Sequence, residues 1–251
     1  MKVVILDTET TGFKTEINQI GQLAYLIIIN GEVKSKKNFF FTVDKMDKGA
    51  ENTHGFSIEK LKSLSNGKRF SHYAQEIFED LDEAMIVCHN SQFDIPFIQI
   101  EFERIGVRIK PQNIFCTMKY YTNVLKIKNS YGYKWPTLTE LLDYYGINSI
   151  DIKRKMNIFY GETSDAHDAR WDIIATMEIY NRIPNIQTAI QSQTAIQRND
   201  NSDNDKIIKE EKKQCITNKF IKLLANIYIY VPLLYALTQI VKYGLRVYYK
   251  Y

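Results

Sequence analysis

Two carboxylates one residue apart, Asp7 and Glu9, stand at the end of the apolar run Val3-Val4-Ile5-Leu6. The run reads as a buried strand, and such a strand does not carry two acids at its tip without a charge partner. Residues i and i+2 of a strand share a face, so both carboxylates reach one site. Like charges this close repel, and no Lys or Arg occupies positions 3–13 to relieve them. A bound divalent cation is the economical partner.

Two more acidic motifs lie far along the chain. In Val87-Cys88-His89-Asn90-Ser91-Gln92-Phe93-Asp94, a buried strand ends in a polar turn and Asp94 stands at the start of the next helix. In His167-Asp168-Ala169-Arg170-Trp171-Asp172, a histidine precedes an aspartate by five positions near the start of the last long helix.

The elements that position these residues follow from the apolar pattern. Segments 3–6, 23–29 and 38–43 read as three opening strands, with Asn30-Gly31 as a hairpin turn between the second and third. Helical spacing of Ile58, Leu61 and Leu64 predicts a helix over 57–64 with Ser57 as its cap. A helix over 71–83 and a short buried strand over 85–88 follow, then a helix from Ile95 to Ile105 with Pro96 near its first turn and Gly106 past its end. Segments 114–124 and 137–146 read as helical, and 167–182 as a last helix that Pro184 closes. Strands first, then helices alternating with short buried strands, imply an α/β domain over 1–183 in which helices flank a mixed sheet.

After Pro184 the composition changes. Gln187-Thr188-Ala189-Ile190-Gln191 recurs as Gln193-Thr194-Ala195-Ile196-Gln197, and the segment 184–213 reads as a polar, charged linker. Residues 214–251 form an apolar tail in which 223–241 carries no charge, between Lys219 and Lys222 on one side and Lys242, Arg246 and Lys250 on the other. Its length suffices to span a bilayer, and its tyrosines and basic flanks suit membrane association, whereas Asn226, Pro232 and Gln239 weaken a span. A helix docked on the domain or on a partner is the other reading.

Charge and cysteine usage bound the setting. Residues 184–251 hold 10 Lys/Arg against 5 Asp/Glu, and residues 1–183 hold 23 against 24. Bulk basicity therefore does not mark the first 183 residues as a nucleic-acid domain, and a polyanion bound there would rely on metal ions and local contacts. Cys88, Cys116 and Cys215 form no C-x-x-C or Cys/His ligand pattern, as expected of plain thiols in a reducing compartment. With no charged-then-apolar leader ahead of the acidic strand, a cytoplasmic setting is the expectation.

The three motifs together resemble the DEDDh (DnaQ-like) 3′–5′ exonucleases, the family of the proofreading epsilon subunit of bacterial DNA polymerase III. Asp7 and Glu9, continued by Thr10-Thr11-Gly12, match its first motif. Asp94, with Asn90 and Phe93 around it, matches the second, and His167 with Asp172 the third. The resemblance covers about residues 1–182 and implies a ribonuclease H-like fold. It further implies that Asp7, Glu9, Asp94 and Asp172 hold two Mg²⁺ or Mn²⁺ ions about 3.5–4 Å apart. His167 would be the general base, and nucleoside 5′-monophosphates would leave the 3′ end of DNA, single-stranded or frayed. RNA 3′ ends are the rival substrate, a polymerase or other protein is an implied partner, and a tethered nucleic-acid-binding protein is the rival from another class. On an ideal helix His167 and Asp172 would sit about 140° apart, so His167 is expected to enter from the preceding loop.

Substrate contacts are also implied. Thr10, Thr11 and Gly12 would offer N–H donors near the 3′ end, and Phe13 and Phe93 stacking surfaces, with core packing as the alternative for each ring. His54, in His54-Gly55-Phe56, matches a segment near the site in relatives, against a purely structural role. His72 and His89 read as structural, Asn90 as organising the turn before Asp94, and Asp165 and Asp168 as acids favoured by a helix N-terminus.

Overall fold

The computed structural model describes residues 1–184 except 110, 112 and 131, so the linker and tail expected over 184–251 lie outside the described residues beyond 184. Strands β1 (Lys2–Thr10), β2 (Ile20–Ile29) and β3 (Glu32–Phe40) form an antiparallel meander. Strands β4 (Met85–Cys88) and β5 (Asn113–Cys116) add to the other edge of β1 in parallel, giving the sheet order β3-β2-β1-β4-β5. This is the expected mixed sheet.

Strand parity sorts the core into two faces. Val3 and Ile5 of β1, with Ala24, Leu26 and Ile28 of β2, pack against helices α6 (Leu138–Tyr144), α7 (Ser149–Tyr160) and α8 (Ala169–Tyr180). On the other face lie Val4, Leu6 and Tyr25, all fully buried. Helices α3 (Ala74–Leu81) and α4 (Ser91–Arg104) supply Phe78 and Phe102, whose rings meet edge to face. Helix α8 is buried almost all round, as a helix with apolar residues on every side must be. Helices α1 (Lys48–His54) and α2 (Ile58–Leu64) follow β3, and Ser57 caps α2 by accepting from Lys60 N–H.

Several boundaries differ from the sequence expectation. Strand β3 covers 32–40 rather than 38–43, because its first residues alternate in burial at a sheet edge and so lack a continuous apolar run. Residues 113–116 are strand β5, and helix α5 begins only at Thr117 and runs to Leu125. A four-residue apolar run of this kind does not tell strand from helix by periodicity. Helix α4 begins at Ser91, four residues early, which puts Asp94 in its first turn and Pro96 inside the helix. The short hairpin of β6 (Lys128–Asn129) and β7 (Gly132–Tyr133) and helix α7 were not expected. In α7 only Ile152 and Met156 are buried, a stripe too narrow to stand out. Among the described residues no helix is long and apolar enough to cross a membrane.

Candidate active site

The acidic residues collect where the parallel strands end. Parity places Asp7 and Glu9 on the same face as Val3 and Ile5, the face that α8 covers. Asp172, in the first turn of α8, meets them there, and one carboxylate oxygen each from Asp7, Glu9 and Asp172 lie within 4.8 Å of one another. Asp94 arrives from α4. Its Oδ1 accepts from the Thr8 backbone N–H at 3.1 Å and from Thr8 Oγ1 at 2.8 Å, so the residue between the two acids of β1 fixes the fourth. The pairing of β1 with β2 shifts register between Glu9 and Thr10, an irregularity of the kind that re-aims a strand end.

With no counter-charge, these groups resist ionisation. Burial first, then the nearby Asp94, Asp172 and Glu9 carboxylates, raise Asp7 well above the ordinary aspartate range. Glu9 is pushed up to about 9 by burial and by Asp172, Asp168 and Asp94. Burial lifts Asp94 to about 7 against the lowering effect of its bonds to Thr8. Asp172 also reaches about 7 through burial, although the His167 N–H opposes the rise. Three carboxylates that converge within 4.8 Å, with Asp94 close enough to repel Asp7, fit a divalent cation, since its charge reverses these penalties.

His167 lies outside α8. It sits at φ 69°, is exposed, and its backbone N–H donates to Asp172 Oδ2 at 2.9 Å. Loop and helix therefore meet at one carboxylate, and the imidazole is left at the solvent rim. Asp168 caps α8 by accepting from Arg170 N–H. Burial raises its pKa, but the Arg170 guanidinium, bonded to both its oxygens, outweighs this and holds it below the ordinary range. Asp165 is exposed and pairs with Lys153.

Gln22 is a positioning residue absent from the sequence expectation. It stands opposite Glu9 in the β1–β2 register. Its Oε1 accepts from Ala169 N–H at 3.1 Å, while its Nε2 donates to Asp168 Oδ1 at 3.0 Å and Asn38 Oδ1 at 2.9 Å. One buried amide thus ties the start of α8, and with it Asp172, to the sheet. A lone amide in an otherwise apolar strand was the available signal, because a buried amide needs partners.

The expected substrate contacts divide. Phe13 is 82% exposed and packs edge to face on Phe93, whose ring also meets Phe97. Thr11 N–H is engaged by the Gln19 carbonyl and Thr11 O by Asp47 N–H, so the loop after Glu9 is pinned from two sides. Thr10 Oγ1 donates to Gly12 O. Gly12 has φ 156°, and a Cβ there would lie 2.0 Å from both Asn18 Nδ2 and Asp47 Oδ2, so only glycine fits the turn. His54 Nδ1 accepts from Phe56 N–H and its Nε2 donates to the Thr10 carbonyl at 3.1 Å, which makes it a neutral strut under that loop. Burial, then the neighbouring His167, lower its pKa. His89 bonds Thr117 and Pro136 through its two nitrogens, and burial pushes it down to about 4. His72 Nδ1 accepts from Arg69 N–H, and Asn90 O accepts from Phe93 N–H in the turn before Asp94.

The family described as Exonuclease matches residues 4–180, which contain every acidic residue of this cluster and His167. The chain belongs to the exonuclease family. Among curated relatives, the exonuclease domain is 28% identical over 143 residues to the 3′-5′ exonuclease DinG of Bacillus subtilis, covering 56% of this chain and 15% of that protein. It is 27% identical over 175 residues to the DNA polymerase III subunit epsilon of Buchnera aphidicola, covering 66% of this chain and 70% of that one. In fold, the exonuclease domain is similar to E. coli Exonuclease I in complex with a dT13 oligonucleotide, with a TM-score of 0.61 at 16% identity over 76% of this chain and 43% of that one. The expected ribonuclease H-like fold is the fold observed.

Proposed function

We propose that this exonuclease domain is a metal-dependent 3′–5′ exonuclease that releases nucleoside 5′-monophosphates from single-stranded or frayed DNA 3′ ends. The convergence of Asp7, Glu9 and Asp172 within 4.8 Å, with Asp94 clamped by Thr8 beside them, carries this reading. Asp7, Glu9, Asp94 and Asp172 would hold two Mg²⁺ or Mn²⁺ ions, which when bound lower the pKa of water and stabilise the leaving 3′-oxygen. His167, exposed beside Asp172, takes the proton from the attacking water. Water oxygen bonds to phosphorus, the P–O3′ bond breaks, and the shortened strand keeps a 3′-hydroxyl. Gly12 and the pinned Thr10-Thr11 backbone shape the pocket for the terminal nucleotide, with Phe13 and Phe93 offered to its base and His54 bracing the loop from behind.

DNA is favoured over RNA by the relatives, one named for a DNA polymerase subunit and one fold neighbour solved with a dT13 oligonucleotide. The same relative makes a polymerase the first partner to test. Residues 1–183 carry the activity in this reading, with 184–213 as a linker and 214–251 as a tail that meets a partner or membrane surface.

The test is incubation of the full chain with 3′- or 5′-labelled single-stranded DNA and RNA of equal sequence, in Mg²⁺, Mn²⁺ or EDTA. Mononucleotides should appear from the 3′ end with metal and not in EDTA, DNA should be cut faster than RNA, and His167→Ala should lower kcat roughly 10²–10⁴-fold. Metal-independent cleavage, or full activity in Asp7→Ala, would refute the mechanism.

A further inference from the structure

The near-neutral balance of residues 1–183 conceals a local asymmetry. Residues 104–139 hold seven Lys/Arg and no Asp/Glu. Within that stretch, α5 packs on the core through Tyr121, and Thr117 and Pro136 both meet one side chain, His89. Thr117 Oγ1 bonds His89 Nδ1 at 2.9 Å, and the Pro136 carbonyl accepts from His89 Nε2 at 3.1 Å. The register places this anchor beside the acidic cluster. Ile5 pairs with Val87 and Cys88 with Cys116, so Asp7, His89 and Thr117 lie in one row across the strand ends. At the usual strand spacing, His89 is about 5 Å and Thr117 about 10 Å of sheet away from Asp7.

The exposed face of this stretch has two chemistries. Lys119, Lys126 and Lys128 are exposed, and among the described residues none has a carboxylate partner, whereas Lys134 pairs with Glu140. Tyr133 is 47% and Trp135 59% exposed. Tyr133 stands directly across the hairpin from Lys128, and Trp135 follows two residues on, toward the His89 anchor. Large rings left in water beside unpaired lysines match a strand that offers π-faces and phosphates in alternation. An apolar protein partner would not call for the lysines.

We infer that the exposed side chains of Lys126, Lys128, Tyr133 and Trp135 form the track for the single-stranded polynucleotide that leads back from the 3′ end, with Trp135 stacking a base and Lys126 and Lys128 meeting phosphates. The inference rests on the acidic cluster being the site where the 3′ end is cut. It gives a domain without bulk basicity a local means of holding a polyanion, through a stretch that carries basic side chains and no acidic ones.

The test uses the full chain and labelled oligo(dT) and oligo(U) from two to about eight nucleotides, with Ca²⁺ in place of the hydrolytic metal and binding read by anisotropy. Trp135→Ala should weaken the longest oligonucleotides roughly tenfold, and Trp135→Phe should restore most of that loss. Lys126→Glu with Lys128→Glu should lower the slope of log affinity against log salt by about 1.4 or more. Binding of the dinucleotide and hydrolysis of the p-nitrophenyl ester of thymidine 5′-phosphate should be unchanged in every variant. The chain has two tryptophans, and Trp171 is buried, so quenching of intrinsic fluorescence by long oligonucleotides should vanish in Trp135→Phe. Unchanged affinity for long oligonucleotides in both the Trp135 and the lysine variants would overturn the inference, as would an equal loss on the dinucleotide and the ester. If the native chain releases no mononucleotide yet Trp135→Ala still weakens long-strand binding, the nuclease reading fails and takes the 3′-end placement of the track with it, while strand binding by Trp135 stands.

Discussion

Removing the metal should make this domain less stable as the pH rises, the reverse of the trend for carboxylates held in salt bridges. Glu9 titrates near the ordinary glutamate value in the unfolded chain but at about 9 in the folded domain. Between those values the folded state holds the extra proton, so stability falls with each step up in pH. From pH 6.5 to 8.5 Glu9 alone is expected to cost on the order of 2–3 kcal/mol, since a group protonated only in the folded state costs roughly 1 kcal/mol or a little more per pH unit. Asp94 and Asp172, lifted to about 7, act in the same direction over the lower part of that range. Starting at pH 6.5 leaves out most of the opposite contribution of His89, which burial keeps neutral down to about 4. For a domain of this size, a loss of that order corresponds to a fall in Tm of roughly 5–10 °C. The assay is thermal unfolding followed by circular dichroism across that range, in EDTA and in Mg²⁺ or Mn²⁺. The metal should remove the fall, and the rise in Tm on adding it should grow with pH, because cation binding requires the ionised carboxylates. A Tm in EDTA that is flat or rising from pH 6.5 to 8.5, or a metal-induced rise that does not change with pH, would refute the reasoning.

Three substitutions follow from the same geometry. Thr8→Val keeps the backbone bond to Asp94 but removes the hydroxyl donor, and should weaken Mn²⁺ binding roughly 10–100-fold by calorimetry while the domain stays folded. Gln22→Leu strands the Ala169 N–H in a buried place, so Tm should fall by the equivalent of about 1–3 kcal/mol and kcat should drop with it as the start of α8 loosens. Gly12→Ala forces a Cβ into the Asn18–Asp47 contact, so activity should be lost even where denaturant melts show a folded core; full activity would show that the turn relaxes freely.

The residues proposed as catalytic were largely legible because each motif obeys a local rule. Asp7 and Glu9 share a face by the two-residue period of a strand, Ser57 announces a helix start, and His167 must leave the helix if it is to meet Asp172. What was not legible depends on pairs that only folding creates. Nothing in the run from Ile20 to Ile29 says that Gln22 meets Ala169 and Asp168, which lie 147 and 146 residues away. Thr8 looks like a spacer until Asp94 crosses from α4 to accept both its donors. Asp168 reads as a helix-start acid, which it is, but its pairing with Arg170 depends on the pocket into which both are buried.

The family, the acidic residues proposed as ligands and the mixed sheet flanked by helices were readable from residue type and short-range period, whereas β5, the β6–β7 hairpin and α7 were not. Tertiary structure decided which oxygens converge. Asp7 and Glu9 meet Asp172 on the α8 face while Thr8 holds Asp94 from the α4 side, since adjacent strand residues point to opposite faces of the sheet. It also decided which charges pair. Within a chain of balanced totals over residues 1–183, Lys126 and Lys128 stay without a carboxylate partner among the described residues while Lys134 finds Glu140, and no count along the sequence reveals which charges pair.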